Sequence, residues 1–311
     1  MSSVNKVVVV GGGTMGCAVA AMFSVAGWAA HVVESDASAR LAAPGKVDAA
    51  ARALGADGAV SAPTVYGALA QVDWVGVDIV IECVFEDLAL KQAVFAELEA
   101  LCPAPTPLTS NSSSFPISRI GAGLATQQRM LGLHFFMPAH LVPAVEVIRS
   151  EVSDEATAAR VSEIMRAVGK KPIRVKRDIP GFLANRIQHA LMREAIALVE
   201  EDFASAEDVD AAVRYGFGFR YIAAGPLLQK DLAGIDIHCA AATTMYPYLR
   251  TDQEPSAYMR KLVADGNVGV KSASLRGFYQ WTPEQVAVEQ KRYEAALIKA
   301  ARILQEEEAG Q

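Results

Sequence analysis

A glycine-rich hexapeptide near the N-terminus constrains the fold of this chain more than any other feature. Gly11-Gly-Gly-Thr-Met-Gly16 follows the apolar, β-branched run Lys6-Val-Val-Val-Val10 and opens the apolar segment Met15–Ala26, which Gly27 closes. The run is typical of a buried parallel strand, and the segment is typical of a helix. A strand that turns tightly on glycine into a helix is the unit that binds the pyrophosphate of a dinucleotide.

Each glycine of this Gly-x-Gly-x-x-Gly pattern has a separate physical task. The first permits the tight turn, the second lets the backbone approach the pyrophosphate, and the third allows the helix to pack closely on the strand. The free N–H groups of the helix N-terminus attract the phosphates. We therefore predict a dinucleotide site formed by Gly11, Gly13, Thr14, Met15 and Gly16.

The stretch Val7–Val33 contains no Asp, Glu, Lys or Arg, so hydropathy alone would indicate a membrane helix or a signal peptide. The glycines interrupt this stretch, and the apolar run before them is much shorter than the roughly 20 residues that cross a bilayer. The sequence therefore predicts a strand, a turn and a buried helix, with no membrane segment.

An acidic residue completes the nucleotide site. Glu34 stands eighteen residues after Gly16, at the end of the predicted strand Ala30–Glu34. Its carboxylate can accept hydrogen bonds from the adenosine ribose and would repel a 2′-phosphate, which predicts NAD over NADP. Asp36 is a nearby alternative, and Arg40 is the nearest arginine. The competing interpretation is that Glu34 merely ends a strand in solvent.

Further strand patterns alternate with helical patterns over about 175 residues, which predicts a doubly wound sheet. The predicted strands are Thr64–Tyr66, Asp78–Val84, Pro107–Ser110, Met130–Phe136, Ala144–Ile148 and Pro172–Val175. After Asp178 the pattern is helical only. The expected fold is α/β, with a Rossmann-type, mostly parallel sheet in residues 1–177 and a second, all-helical domain in residues 178–311.

Composition excludes several classes of protein. The chain of 311 residues is 52% hydrophobic and 21% charged, which excludes disorder. Its net charge of −6 and the absence of a basic run argue against a nucleic-acid partner. Four scattered cysteines without a Cys-x-x-Cys pair predict no disulfide scaffold and no metal site, and they indicate a cytoplasmic protein.

One histidine is well placed for chemistry. His134 ends a predicted apolar strand, and Glu146 interrupts the next one, where a charge is costly without a partner. If the two strands are neighbours, the carboxylate can fix the imidazole tautomer so that the other ring nitrogen can accept a proton. The alternative is a core histidine bonded to backbone, with Glu146 facing outward from an edge strand.

A run of four serines and one asparagine, Ser110-Asn-Ser-Ser-Ser114, ends the strand Pro107–Ser110 and follows it; we call it the serine run. Ligands of open α/β sheets bind beyond the carboxyl ends of the strands, so this run is expected to face the same crevice. Its hydroxyls could position an alcohol substrate. An ordinary serine-rich turn is the alternative.

With these motifs in order, the chain resembles the L-3-hydroxyacyl-CoA dehydrogenase family, including its lambda-crystallin and L-gulonate 3-dehydrogenase branch. The resemblance extends from about Lys6 to Tyr279. Besides the nucleotide loop, the matching segments are Ile81–Lys91, Ser110–Ser114, His134-Phe-Phe-Met-Pro138, Val145–Ile148, Pro180-Gly-Phe-Leu-Ala-Asn-Arg186 and Gly225-Pro with Asp231.

The resemblance implies a role for each site residue. His134 is the base for the 3-hydroxyl group, Glu146 orients it, and hydride passes to NAD. Ser113, chosen over Ser112 by alignment alone, and Asn185 hold the substrate. The residues expected on the nicotinamide–ribose side of the cofactor are Glu86, Lys91 and Asn111. The resemblance also implies a homodimer, for which the apolar candidates are Ile196, Leu198, Val199 and Tyr246–Tyr248.

Two departures concern the substrate. Hydroxyacyl-CoA enzymes carry a charged helical hairpin on the CoA side of the cleft, whereas the interval Ala37–Ala62 is short and rich in alanine. Arg220, in Phe217-Gly-Phe-Arg-Tyr221, matches the free hydroxy-acid branch, where it would bind a substrate carboxylate; an ion pair is the alternative. His134-Phe-Phe-Met-Pro138 is instead closer to the acyl-CoA branch. On balance the sequence favours an L-3-hydroxyacyl-CoA over a small free hydroxy acid of the gulonate or carnitine type.

Two competing functions remain. The β-hydroxyacid dehydrogenases related to 6-phosphogluconate dehydrogenase use a lysine base on the interdomain helix, but Phe182–Glu201 contains no lysine. A non-catalytic, crystallin-like NADH-binding protein is the alternative from another class, and the retained pair of His134 and Glu146 argues against it.

Overall fold

The computed structural model describes residues 4–56 and 60–309. It divides into two compact units, the first ending at Arg186 and the second beginning at Ile187. The division lies inside one helix, α6, which spans Ala184–Glu200. The boundary expected from the sequence, near Asp178, lies shortly before that helix. No helix among the described residues is long and apolar enough to cross a membrane.

The first unit is built on one sheet of eight strands. In chain order these are β1 Lys6–Val10, β2 Ala29–Val33, β3 Thr64–Tyr66, β4 Val77–Glu82, β5 Leu108–Ser110, β6 Met130–Phe135, β7 Ala144–Ile148 and β8 Lys171–Val175. Their spatial order is β3-β2-β1-β4-β5-β6-β7-β8. All pairs are parallel except β6 and β7, which are antiparallel. The predicted mostly parallel, Rossmann-type sheet is confirmed.

The strand order reverses between β1 and β4. The chain builds β2 and β3 on one side of β1 and then crosses to add β4 on the other side. Loops that leave the carboxyl ends of β1 and β4 therefore diverge and open a crevice, which is where ligands bind in sheets of this kind.

Helices cover both faces of the sheet. In the first unit they are α1 Thr14–Val25, α2 Ala37–Ala53, α3 Leu88–Leu101, α4 Ile117–Ile120 and α5 Glu155–Ala167. Alternate side chains of β1 point to opposite faces, so Val7 and Val9 belong to the core that contains Phe23 of α1. Val8 and Val10 belong to the core that contains Phe95 of α3. Burial on both faces explains why β1 is apolar throughout.

The alanine-rich interval after β2 forms one helix, α2. Asp36 caps it, because its side chain accepts a hydrogen bond of 2.7 Å from the backbone N–H of Ala39. The chain then leads to β3 without a second helix in the described part of the interval, residues 37–56 and 60–62; residues 57–59 lie outside it.

The second unit is helical, as predicted. After most of α6 it contains α7 Ala206–Ala211, α8 Pro226–Ala233, α9 Ile235–Met245, α10 Ala257–Ala264 and α11 Pro283–Ala309. Helix α8 begins with ordinary helix-start signals, with Gly225 at its N-cap and Pro226 in its first turn. Among the described residues of this unit, only Ala197 and Val209 are buried.

Candidate active site

The glycine loop has the backbone geometry that its sequence predicts. Gly11 has a φ of +106°, and a Cβ atom there would lie 2.7 Å from the carbonyl oxygen of Cys83. A Cβ atom at Gly16 would lie 1.8 Å from the carbonyl oxygen of Gly11, so α1 packs closely on the loop only because residue 16 has no side chain. A Cβ atom at Gly13 would meet nothing within 4 Å, which leaves room for a ligand.

The N-terminus of α1 suits a dinucleotide pyrophosphate. Gly13 caps this helix without any side-chain hydrogen bond, and the first turn, which starts with Thr14 and Met15, has no acidic residue. The first N–H groups of the helix are therefore not capped by a side chain, and the positive end of the helix dipole is not neutralised. These groups and the space at Gly13 fit the phosphates of NAD.

Glu34 lies against the same loop. Its Oε2 accepts a hydrogen bond of 2.7 Å from the N–H of Gly12, and its Oε1 accepts one of 2.9 Å from the N–H of Asp36. These bonds fix the carboxylate at the end of β2, where a ribose hydroxyl could reach it. Asp36 instead caps α2, and Arg40 donates to the carbonyl oxygens of residues 34 and 35. The geometry favours Glu34 over Asp36 as the ribose ligand.

We expect the chain to bind NADH at least about tenfold more tightly than NADPH, because the fixed carboxylate of Glu34 repels a 2′-phosphate. Replacing Glu34 by Gln is expected to reduce this preference. Quenching of protein fluorescence on titration with each dinucleotide measures both. Tighter binding of NADPH to the unmodified protein would remove Glu34 from this role.

His134 and Glu146 meet through the pairing of two adjacent strands. They are directly opposite each other in the antiparallel pair of β6 and β7. His134 Nδ1 lies 2.8 Å from Glu146 Oε2, and the side chains are 3% and 0% exposed. Glu146 Oε1 accepts the backbone N–H groups of Leu183 and Ala184, both at 3.0 Å. Every oxygen of the buried carboxylate therefore has a hydrogen-bond donor.

The protonation of Glu146 follows from these contacts. Burial by itself would raise the pKa of its carboxyl group, but the hydrogen bonds from His134, Ala184 and Leu183 outweigh burial and lower the pKa. Glu146 is thus ionised at neutral pH. It accepts a hydrogen bond from the Nδ1–H group of His134, so Nε2 is the ring nitrogen that can accept a hydrogen bond.

Two aromatic rings and a tight turn enclose the imidazole. The ring of Phe136 lies 4.9 Å from that of His134 in an edge-on arrangement, and the ring of Phe182 lies 5.5 Å away. Phe182 is 1% exposed and has a φ of +49°, which turns the chain so that the next two N–H groups point at Glu146. Asn185, expected on the substrate, directly follows these residues at the start of α6.

The serine run after β5 lies at His134. Ser113 Oγ is 3.0 Å from His134 Nε2, so the hydroxyl can donate to the nitrogen that Glu146 leaves free. Ser112 Oγ donates instead to Glu86 at 2.6 Å, and Ser110 Oγ donates to Glu82. The structure thus separates two serines between which the sequence pattern could not choose, and Ser113 is the one at the imidazole.

Glu86 binds the serine run although its side chain is 38% exposed. Its Oε1 accepts from the N–H of Ser113 at 3.1 Å and from the N–H and hydroxyl of Ser114 at 2.9 and 2.6 Å. Burial would raise the pKa of Glu86, but the hydrogen bonds from Ser112 and Ser114, together with Lys91, lower it to about 2.

A carboxylate whose pKa is lower in the folded than in the unfolded chain stabilises the fold above its ordinary pKa, here 4.5, and loses that contribution as the pH falls towards 2. We therefore expect the free energy of unfolding to fall more steeply between pH 4.5 and 2 in the unmodified protein than in a Glu86→Gln variant. Urea denaturation at several pH values measures both slopes. Equal slopes would contradict the assigned contacts.

Asn111 braces the two strands on which the site depends. Its backbone N–H donates to the carbonyl oxygen of Glu82 at 2.8 Å, and its Oδ1 accepts the backbone N–H of Phe135 at 2.9 Å. The amide oxygen is therefore engaged within the protein. Arg220, the candidate for a substrate carboxylate, lies in the second unit, in the short helical segment 218–222, and is exposed.

Two residues near the site, Glu82 and Lys170, were not singled out by sequence reasoning. Glu82 and Ser110 form a buried hydrogen bond of 2.6 Å beneath the serine run. Lys170, 7% exposed, donates to the carbonyl oxygens of Ala139 and Val142 at 2.7 Å each, in the turn that joins the strands of His134 and Glu146. Burial lowers the pKa of Lys170 to about 8. A charge inside a predicted apolar strand, the signal used for Glu146, also marks Glu82, which lies within the predicted strand Asp78–Val84.

The arrangement favours proton removal over nucleophilic attack. Serine, histidine and carboxylate in a row also occur in hydrolases, where N–H groups beside the serine stabilise the oxyanion. Here the N–H groups of Ser113 and Ser114 donate to the carboxylate of Glu86. That negative charge would repel an oxyanion, so the set of groups suits a general base that takes a proton from an alcohol.

Comparison with known proteins agrees with this geometry. Residues 6–179 match the family model of the 3-hydroxyacyl-CoA dehydrogenase NAD binding domain, and residues 181–281 match that of the C-terminal domain of the same family. Among the described residues, no group of three or more His, Cys, Asp or Glu side chains could hold a metal ion.

Individual relatives differ in their substrates. The chain is 33% identical over 230 residues to 5-formyl-3-hydroxy-2-methylpyridine 4-carboxylate 5-dehydrogenase of Mesorhizobium japonicum, covering 74% of each. It is 33% identical over 297 residues to 3-hydroxyadipyl-CoA dehydrogenase of Escherichia coli, covering 93% of this chain and 61% of the relative. A crystal structure of a 5-formyl-3-hydroxy-2-methylpyridine 4-carboxylic acid 5-dehydrogenase, described as an NAD⁺-dependent dismutase, superposes with a TM-score of 0.89 at 29% identity, over 97% of this chain and 99% of that one.

The two family models match nearly all of the first unit and the second unit as far as residue 281, before α11, in the order that the fold requires. The chain therefore belongs to the 3-hydroxyacyl-CoA dehydrogenase family, whose members are NAD-dependent oxidoreductases acting on CH–OH groups.

Proposed function

We propose that the chain oxidises a secondary alcohol with His134 as the general base. The observation that supports this is the continuous row from Ser113 Oγ to His134 Nε2, and from His134 Nδ1 to Glu146, with distances of 3.0 and 2.8 Å. When the substrate binds, its hydroxyl replaces that of Ser113 as the donor to Nε2, and its proton passes to Nε2 as the carbonyl group forms. Glu146, ionised and buried, balances the charge of the imidazolium. NAD, when bound, supplies the acceptor for the hydride.

The remaining residues bind and orient. The glycine loop and the N-terminus of α1 hold the pyrophosphate, and Glu34 holds the adenosine ribose. Ser113 holds the substrate oxygen beside Nε2. Asn185, at the start of α6 and next to the N–H groups that bind Glu146, also holds the substrate. General bases of this kind contribute about 10²–10⁴-fold to the rate.

For the substrate we favour a small carboxylic acid that carries a hydroxyl group. The resemblance implies a charged helical hairpin on the CoA side of the cleft, but the described part of the corresponding interval forms the single helix α2. The solved pyridine-carboxylate dehydrogenase, which matches almost the full chain at a TM-score of 0.89, acts on a free acid. On these two grounds we place a free acid ahead of the acyl-CoA that the sequence favoured.

An L-3-hydroxyacyl-CoA remains the second candidate. The segment His134-Phe-Phe-Met-Pro138 matches the acyl-CoA branch, and the relative in Escherichia coli is named for a CoA thioester. The two candidates differ in how the carboxyl end of the substrate is bound, because a thioester brings the phosphates of CoA and a free acid brings one carboxylate.

A paired kinetic comparison distinguishes them. NADH formation is followed with 3-hydroxybutyryl-CoA, and separately with 3-hydroxybutyrate, L-gulonate, carnitine and 5-formyl-3-hydroxy-2-methylpyridine 4-carboxylate, the compound for which one relative is named. We expect a free acid to give the highest kcat/KM. A higher value for the thioester would reverse the order, and turnover of none of these compounds by a protein that binds NADH would favour the non-catalytic, crystallin-like alternative.

Arg220 offers a specific test of the free-acid proposal. The residue is exposed, and a guanidinium can bind a carboxylate through two parallel hydrogen bonds. We expect Arg220→Met to raise KM for a free acid about tenfold or more and to leave the KM for NAD unchanged. Arg214→Met is the matched control, since Arg214 lies over the ring of Tyr215 in the same unit. An equal effect of both variants would contradict the role.

We also propose that the chain acts as a homodimer formed through the second unit. Large apolar side chains there are exposed in the single chain, including Leu227 at 82%, Leu232 at 77% and Tyr248 at 85%. Of the expected interface residues, Leu198 is exposed, whereas Ile196 and Val199 are half-buried. A second copy would cover this surface.

The four free cysteines accord with the proposed cytoplasmic location.

A further inference from the structure

Beneath the serine run lies a buried pair of opposite charges that takes no direct part in the proposed reaction. Glu82 ends β4 and is fully buried. Its Oε1 accepts from Lys91 Nζ at 2.8 Å and from the backbone N–H of Val84 at 2.7 Å, and its Oε2 accepts from Ser110 Oγ at 2.6 Å. A carboxylate with this many donors is held in one position.

Lys91 reaches this carboxylate from the first turn of α3. Its side chain is 1% exposed, and its nitrogen lies 2.8 Å from Glu82 Oε1, 3.3 Å from Glu86 Oε2 and 3.3 Å from the carbonyl oxygen of Val84. An ammonium group has three N–H donors, and these three acceptors use all of them. Within the described residues, Lys91 is thus held between two carboxylates and a carbonyl oxygen at the end of β4.

Glu86 joins this pair to the catalytic serine. One of its oxygens faces Lys91, while the other accepts from the backbone N–H of Ser113 at 3.1 Å and from Ser112 Oγ at 2.6 Å. Glu86 thus fixes the backbone of the residue whose hydroxyl contacts His134. Contacts of hydrogen-bond or ion-pair length run without a gap from Glu82 to the imidazole.

We infer that Glu82 and Lys91 are positioning residues that hold Glu86 against the serine run and so keep the Ser113 hydroxyl on His134 Nε2. The inference rests on the proposed function, since it assigns roles within the same site. Removing Lys91 alone leaves two neighbouring carboxylates without their cation, one of them fully buried. Removing both charges of the buried pair avoids this imbalance.

The first test needs no substrate. The Nε2 resonance of His134 in protein labelled with ¹⁵N-histidine reports its hydrogen bond, and Ser113→Ala gives the position of that resonance when the bond is lost. We expect Lys91→Met to move the resonance towards the Ser113→Ala position. We expect Glu82→Gln combined with Lys91→Met to return it towards that of the unmodified protein. An unmoved resonance in Lys91→Met overturns the inference.

The second test separates positioning from cofactor binding. With saturating NAD, we expect Lys91→Met to lower kcat by about 10²-fold, as misplacement of a reacting group does. If Lys91 only positions Glu86, the dissociation constant for NADH should change less than about threefold, because the glycine loop and Glu34 still hold the dinucleotide. The kcat of the double variant should be at least about tenfold higher than that of Lys91→Met. Weaker NADH binding with unchanged kcat would show that Lys91 binds the cofactor instead.

Arg129 supplies a control for purely structural effects. It is also a buried cation, 8% exposed, and it donates to the carbonyl oxygens of Cys102, Pro103 and Thr106. Arg129 directly precedes β6, so it lies at the opposite end of that strand from His134. We expect Arg129→Met to lower Tm while the His134 resonance and kcat stay unchanged. A Lys91→Met variant that behaves like this control contradicts the inference.

Two further outcomes are informative. If Lys91→Met does not fold, Glu82→Gln and the double variant still carry the test, because glutamine preserves the shape of the buried acid. In that case an unmoved resonance in Glu82→Gln overturns the inference. If the unmodified protein turns over none of the substrates, the proposed function fails, but the resonance still tests whether these charges position Ser113.

Discussion

Replacement of His134 by glutamine is expected to lower kcat by about 10²–10⁴-fold, because glutamine has no group that can take the hydroxyl proton. NADH binding should remain nearly unchanged, since the glycine loop and Glu34 hold the dinucleotide without His134. His134→Asn should give the same pattern. The measurements are NADH formation at saturating NAD and fluorescence titration with NADH.

Two variants show whether the loss is specific. His31→Gln changes a half-buried histidine of β2, which stacks on Tyr66, and should leave kcat unchanged. Glu146→Gln preserves the shape of the residue but removes the charge that balances the imidazolium, so kcat should fall by a comparable amount. Turnover near the normal level in His134→Gln would exclude His134 as the base.

The second large effect is expected at Gly16. A methyl group there would lie 1.8 Å from the carbonyl oxygen of Gly11, which is backbone and cannot rotate away. Gly16→Ala should therefore displace α1 from the loop, cost about 3 kcal/mol or more of folding free energy, and abolish NADH binding. Thermal unfolding and fluorescence titration measure the two effects.

Gly13→Ala is the matched comparison, because a Cβ atom there meets nothing within 4 Å in the protein. Its Tm should be unchanged, whereas NADH binding should weaken about tenfold or more, as the methyl group would occupy the approach of the pyrophosphate. Gly45→Ala, whose Cβ also meets nothing within 4 Å, lies inside α2 and should leave NADH binding unchanged while raising Tm slightly, because alanine favours a helix more than glycine does. Equal effects of Gly13→Ala and Gly16→Ala on Tm would contradict the separate tasks of these glycines.

The sheet and the nucleotide loop could be predicted because their signals are local. The strand, the glycines and the helix of the loop are consecutive, and so is the apolar character of β1. The pair of His134 and Glu146 was also within reach, because the residues lie on adjacent strands joined by a short turn. A charge inside an apolar strand indicates a partner, and the neighbouring strand supplies it.

The supports of the site were harder to predict because their partners are distant in the chain. Ser113 reaches His134 only through the pairing of β5 with β6, so its role came from a resemblance rather than from spacing. Burial of Lys91 depends on how α3 packs against the end of β4, which periodicity does not reveal. Glu82 carried the same signal as Glu146 and could have been found.

Two local features depend on contacts that composition does not reveal, namely the residues just after Asp178 and helix α8. The chain turns from strand to helix near Asp178, yet the residues up to Arg186 belong to the first unit, since the N–H groups of Leu183 and Ala184 bind Glu146. The segment Pro226–Ala233 is short and mostly exposed, so it has little apolar periodicity to indicate a helix.

A crystal structure of the NADH complex tests the whole account most directly. We predict that the pyrophosphate lies at the N-terminus of α1, with the adenosine ribose on Glu34 and the nicotinamide ring beside Ser113 Oγ and His134 Nε2. A nicotinamide ring that points away from these two atoms, or a dinucleotide bound elsewhere on the protein, would contradict it.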